Sequence, residues 1–225
     1  MDQSARKEAV AAAAAERIAS ELTADTVLGI GTGSTANRFI DLLAAHRTRF
    51  AGAVASSEAT AERLRQHGID LFELNDVGRI RFYVDGADEV DANLNLIKGG
   101  GGALTREKIV ANAADCFICI VDDSKLVASL GAFPLPLEVL PMAREGVLRA
   151  LRELGGEPTV RRDFTTDNGN IIIDTRGLDL SDPQAMERRL NDLVGVLCNG
   201  LFALRPADEL LVAGADGAVE HRRGT

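Results

Sequence analysis

Hydrophobic positions follow two rhythms in the first half of the chain. Short, mostly apolar runs at 26–30, 51–55, 80–84 and 116–121 read as strands. Between them lie stretches with apolar residues at helical spacing. One covers 35–45, with Phe39, Leu42 and Leu43 as its apolar positions. A second covers 58–67 and is stopped by Gly68. A third covers 105–114, with Thr105 as its N-cap. The alanine run 11–15, followed by Glu16 and Arg17, belongs to an N-terminal helix. This β-α-β-α order predicts a mostly parallel sheet with helices on both faces.

The rhythm changes at Phe133-Pro134-Leu135-Pro136, where the prolines are expected to interrupt helix and central strand alike. A helix at 143–154 follows, closed by Gly155-Gly156. Strands at 159–162 and 170–175 flank an Asp167-Asn168-Gly169 turn. Another helix starts after Asp182, with Pro183 at its first position. A strand is expected over 195–202, and 210–213 returns to the first sheet. The fold class is therefore α/β, with a mostly parallel sheet domain at 1–130 plus 206–225. A smaller α+β lobe occupies 131–205.

Charge and composition narrow the function classes. The chain has 225 residues and a formal net charge of −9. An acidic chain lacks the basic footprint expected for sequence-independent nucleic-acid binding, yet a few local cations and backbone amides suffice for a small anion. No run of about eighteen apolar residues is present to span a membrane, and residues 1–7 lack the charged-then-apolar order of a secretory leader. With three cysteines, an odd number, these features point to a reducing, cytoplasmic location. Cys116 and Cys119 have C-x-x-C spacing, but three residues apart on a strand they face opposite sides, which argues against a zinc or redox pair.

Four motifs carry candidate chemistry. In Gly29-Ile-Gly31-Thr32-Gly33-Ser34-Thr35, glycines allow a sharp turn, and the following helix start offers N–H groups to an anion. A phosphate cradle, a dinucleotide loop and a plain turn are all open. Against the dinucleotide stands the spacing, since Ser34 replaces the last glycine of G-x-G-x-x-G. Asp85-Gly86-Ala87-Asp88-Glu89-Val-Asp91 follows a strand, where ligands bind in parallel sheets, although such a cluster by itself is more often a solvated turn. Lys98-Gly99-Gly100-Gly101-Gly102 precedes Thr105-Arg106-Glu107-Lys108. Four glycines mean either a flexible loop or a ligand close to backbone, and the lysine and helix start favour the ligand. Glu107 is either a capping-box carboxylate or a general base. Asp122-Asp123-Ser124-Lys125, taken alone, reads as a surface turn. His46, His67 and His221 join none of these clusters and read as surface residues, which leaves carboxylate and lysine chemistry.

Taken together, these blocks resemble the type A ribose-5-phosphate isomerase family. The likeness runs through Gly31–Thr35, Asp85–Glu89, Lys98–Gly101 with Thr105–Lys108, and Asp122–Lys125. It continues in Thr166-Asp-Asn-Gly-Asn170 with Asp174, and in Gly195-Val196 with Gly200-Leu-Phe202. The resemblance implies a Rossmann-like domain with a ferredoxin-like lobe involved in oligomerisation, no cofactor, no metal, and a homodimer or tetramer. It assigns Thr32, Gly33, Ser34, Thr35, Asp85, Gly86, Ala87, Asp88, Lys98, Gly99, Gly100, Gly101 and Lys125 to a sugar phosphate. Glu107 becomes the proton-transferring base. Lys7 matches a position near the phosphate. The fourth glycine, Gly102, departs from the family pattern and is expected to loosen the loop. The implied reaction is interconversion of ribose 5-phosphate and ribulose 5-phosphate through a cis-enediolate. Lys98 and loop amides would steady the oxygen, Asp85 would move protons or help open the ring, and Asp88 would hold hydroxyls. The rival classes are a sugar-phosphate-binding regulatory protein and an NAD-dependent oxidoreductase.

Overall fold

The computed structural model describes residues 1–224, which form two units. The first comprises Met1–Gly86, Arg106–Lys125 and the chain from Ala207 onward; the second comprises Ala87–Thr105 and Leu126–Pro206. In chain order the first half contains α1 (Gln3–Ala19), β1 (Val27–Ile30), α2 (Ser34–Leu43), β2 (Gly52–Ala55), α3 (Glu58–Gln66), β3 (Ile80–Asp85), β4 (Glu89–Val90), β5 (Leu96–Ile97), α4 (Leu104–Ala113) and β6 (Ala114–Asp122). The second half contains β7 (Leu135–Val139), α5 (Arg144–Glu153), β8 (Glu157–Val160), β9 (Ile171–Arg176), α6 (Pro183–Asn191), β10 (Val196–Asn199), β11 (Leu201–Phe202), β12 (Glu209–Ala213) and β13 (Val219–Arg223).

The first unit is built on a six-stranded sheet, ordered β13-β12-β6-β3-β1-β2. All neighbours pair in parallel except β13, which runs antiparallel at the edge. Helix α1 starts on an Asp2 cap, whose side chain accepts from Ala5 N–H at 2.8 Å. It buries Val10, Ala11, Ala14, Ala15 and Ile18, a stripe at helical spacing whose alanines let it pack closely. Strand β1 lies between β2 and β3, so the chain leaves it to one side and returns on the other. That reversal is where an open parallel sheet leaves a crevice beyond its carboxyl ends.

In the second unit, β7, α5, β8, β9, α6 and β10 give the β-α-β-β-α-β succession of a ferredoxin-like lobe. Its antiparallel sheet is ordered β10-β7-β9-β8, and a three-stranded sheet β11-β5-β4 completes the unit. Leu135, Leu137, Val139, Val147, Leu151, Ile173 and Leu190 are central to its core.

Three sequence expectations change here. Residues 87–105 leave the sheet domain because β5 pairs with β11, so the units divide at 86/87, 105/106, 125/126 and 206/207 rather than near 130 and 206. Pro136 sits inside β7, a central strand; it lacks an N–H, but its carbonyl still accepts from Gly200 N–H at 2.8 Å. The strand expected over 195–202 splits at Gly200. A Cβ there would come within 2.3 Å of the Lys98 carbonyl, so only glycine lets the chain pass from β7 to β5.

Candidate active site

The carboxyl ends of β1, β3 and β6 lie on one edge of the first unit's sheet, and the sequence motifs follow directly from them. Asp85 ends β3 and is wholly buried. Its Oδ1 accepts from the backbone N–H of Thr32 at 3.1 Å and of Gly86 at 2.7 Å, and its Oδ2 accepts from the Tyr83 hydroxyl. The cluster is therefore not a solvated turn at this position. Close approach of β1 makes the arrangement possible. A Cβ on Gly31 would lie 1.9 Å from Asp85 Cγ, and one on Gly29 would lie 2.6 Å from Val110 and 2.9 Å from the Tyr83 ring. Two glycines of the motif thus serve a carboxylate and a phenol.

Gly33, at φ +119°, precedes α2, whose N-terminus has no side-chain cap. The N–H groups of Ser34 and Thr35 open the first turn, where the helix dipole favours an anion. Lys7, from α1, donates to Ser34 Oγ at 2.9 Å and adds a cation to the same loop. Thr32 points into a hydroxyl cluster. Its Oγ1 lies 3.0 Å from Ser56, 2.8 Å from Ser57 and 3.2 Å from Thr60, and Thr60 donates to the Gly31 carbonyl at 2.8 Å. A cavity of about 360 Å³ opens here, lined by Thr32, Gly33, Ser34, Asn37, Thr60 and Arg63.

Glu107 lies in the first turn of α4 and is buried, with 4% exposure. Its charge acts on Tyr83. Burial, then the charges of Asp85 and Glu107, push this phenol well above its usual range. Tyr83 is itself wholly buried and packs on Phe117, with ring centroids 4.9 Å apart. Asp122, the last residue of β6, is buried rather than part of a surface turn, accepting from Ser124 N–H at 3.1 Å. Lys125 ends the short 3₁₀ turn that follows and is half-buried.

The remaining predicted residues belong to the second unit. Lys98 is buried at 3% exposure, with its Nζ 5.6 Å above the Phe202 ring. Gly99 takes φ +107° and accepts from Gly102 N–H at 2.9 Å, which closes a tight turn. Asp88 receives Gly100 N–H at 2.8 Å, while Ala87 is half-buried and Gly101 lies exposed at the turn. Gly102 has a defined role instead of loosening the loop: it needs φ +79°, and a Cβ there would stand 2.2 Å from the Phe164 ring. Among the described residues, no three His, Cys, Asp or Glu side chains gather as a metal-binding group, and the three cysteines are free thiols.

Residues 52–217 match the sequence model of the family described as ribose 5-phosphate isomerase A (phosphoriboisomerase A). The chain belongs to the ribose 5-phosphate isomerase A family. Solved structures agree over the full length. Ribose 5-phosphate isomerase A from Neisseria gonorrhoeae superposes with a TM-score of 0.93 at 40% identity, covering 100% of this chain and 98% of that one. A D-ribose-5-phosphate isomerase in complex with phospho-erythronic acid gives 0.91 at 37%, covering 99% and 100%. The ribose 5-phosphate isomerase A of Methanocaldococcus jannaschii gives 0.90 at 37%, covering 99% and 100%.

Sequence reading of this isomerase-family chain missed Tyr83, the Ser56, Ser57 and Thr60 hydroxyls, and Arg161, which reaches the glycine loop. A usable signal existed for Tyr83, which sits two residues before Asp85 on a strand and so shares its face. The hydroxyl trio carried none beyond composition. No helix among the described residues is long and apolar enough to cross a membrane.

Proposed function

We propose that this chain interconverts D-ribose 5-phosphate and D-ribulose 5-phosphate, a step of pentose phosphate metabolism, with Glu107 as the base. The observation that carries the reading is the buried Asp85 carboxylate at the carboxyl end of β3, held by the Tyr83 hydroxyl and two backbone amides, with a second buried carboxylate, Glu107, whose charge also acts on Tyr83. The substrate phosphate is held by the Thr32–Thr35 loop, with Lys7 and Lys125 supplying positive charge. Glu107 removes the proton from C2 of the open-chain aldose and returns it to C1 through a cis-enediolate. Such a base contributes about 10²–10⁴-fold. Asp85, fixed by three donors, transfers protons between O1 and O2 or assists ring opening. Lys98 and the amides of Gly99–Gly101 steady the enediolate oxygen, and Asp88 with Gly86 and Ala87 positions the sugar hydroxyls. Family membership supports a homodimer or tetramer as the working assembly.

Purified protein incubated with ribose 5-phosphate and EDTA, with nothing else added, should form ribulose 5-phosphate. Binding without turnover would instead make the chain a sensor of sugar phosphates. Turnover that appears only on addition of NAD would make it an oxidoreductase.

A further inference from the structure

The glycine loop 99–102 is gripped from β8's end by a side chain that the reaction scheme above does not use. Arg161 donates to the Gly99 carbonyl through Nη1 and Nη2, both at 3.3 Å, and to the Gly100 carbonyl through Nη1 at 3.1 Å. The adjoining edge of its guanidinium, which shares Nη2, is locked by a fork onto Asp174, with Nε to Oδ2 at 2.9 Å and Nη2 to Oδ1 at 2.6 Å. Its carbon lies 5.2 Å above the Phe164 ring, the ring that also packs on Gly102. All the donors that face the loop and the carboxylate are therefore on one planar group, a geometry that lysine cannot reproduce.

Peptide planarity turns this grip into a directional device. In a trans peptide the N–H points opposite to the preceding C=O. Pinning the Gly99 carbonyl on Arg161 aims the Gly100 N–H the other way, and that N–H is found on Asp88 at 2.8 Å. Pinning the Gly100 carbonyl in turn aims the Gly101 N–H to the side where Asp88 lies. The Gly99–Gly100 peptide is also held by Gly102 N–H and by Asp88, so the orienting effect of Arg161 falls on the Gly100–Gly101 peptide, which as a glycine pair flips at little conformational cost without it. We propose that Arg161, held by Asp174, is a positioning residue that fixes the glycine-loop peptides so that the Gly101 N–H presents to the substrate oxygen as negative charge develops on it. The inference rests on the isomerase reading and extends it to a side chain outside the substrate-binding motifs.

The test uses the full-length protein with ribose 5-phosphate as substrate. Arg161→Ala should lower kcat about 10²-fold, the scale of losing one preorganised donor, while KM changes less than about threefold. Guanidinium chloride at sub-denaturing concentration should restore part of the lost kcat to Arg161→Ala and none to Glu107→Gln. Asp174→Ala should lower kcat to a smaller extent, with KM again nearly unchanged. A folded Arg161→Ala protein with wild-type kcat, or one whose loss guanidinium leaves untouched, would overturn the proposal. Should Arg161→Ala fail to fold, Asp174→Ala decides, since a folded variant with wild-type kcat overturns it equally. Absence of turnover by the wild type would sink the isomerase reading itself and is thereby distinguished.

Discussion

Tyr83 is the single tyrosine of a chain without tryptophan, so its ionisation is readable from tyrosinate absorbance alone. Burial and the neighbouring carboxylates favour the protonated phenol in the folded state. Its folded pKa therefore lies above the unfolded value of about 10. The stability it contributes is fully present below that unfolded value and is lost as pH rises through the folded one. Spectrophotometric titration should show no tyrosinate in native protein at the pH where denatured protein is half-ionised. A native midpoint near the ordinary value would mean that the phenol is not buried against the Asp85 carboxylate as described. Little of this was legible beforehand. Asp85 stood out by its place after a strand and Glu107 by its place in the first turn of a helix that follows a glycine loop, whereas a tyrosine within an apolar strand is indistinguishable from core until its hydroxyl has a partner.

At the level of elements, the start of α4 depends on one buried carboxylate. Glu138, wholly buried in β7, accepts from the hydroxyls of Thr105 and Thr166 and from the amides of Asn168 and Asn170. The Thr166–Asn170 turn and the first turn of α4 thus share a single acceptor. Glu138→Ala should cost about 3 kcal/mol in denaturant melts, because several buried donors lose their partner. A loss below about 0.5 kcal/mol would show that these donors find other acceptors. Most elements with enough residues to show a period were legible in the sequence, but β13 was not, because its Val-Glu-His-Arg-Arg run is almost wholly polar. The strands of two residues, β4, β5 and β11, were not, since two positions carry no periodicity. Strand β7 was hidden by its prolines, and Arg161 by acting on carbonyls some sixty residues away along the chain.

For the whole molecule, acid is the condition that tests the charge network. Burial raises Glu209, but the hydrogen bonds and charge of Arg17, with His221, outweigh it and leave the carboxyl below its usual range. Asp41 is lowered in the same way: burial raises it, and Arg63 and His67 more than offset that. Groups with depressed folded pKa values contribute stability above their unfolded values, about 4, and lose it as pH falls through the folded ones. Tm should therefore hold between neutrality and about pH 5 and decline below it. The Arg17→Met variant should start lower and decline less steeply. Identical acid limbs for the two proteins would remove the Arg17–Glu209 pair from the account. At this scale the alternation of elements revealed both units. Their true division was not legible, because it depends on the pairing of β5 with β11 across a hundred residues of chain.

The proposed isomerisation puts the chemistry on the carboxylate at position 107, and steady-state kinetics of Glu107→Gln tests that assignment most directly. With ribose 5-phosphate as substrate and EDTA present, the account predicts turnover by the wild type and a kcat at least about 10²-fold lower in the variant, with KM within about threefold. A folded Glu107→Gln protein that keeps most of the wild-type kcat would contradict it.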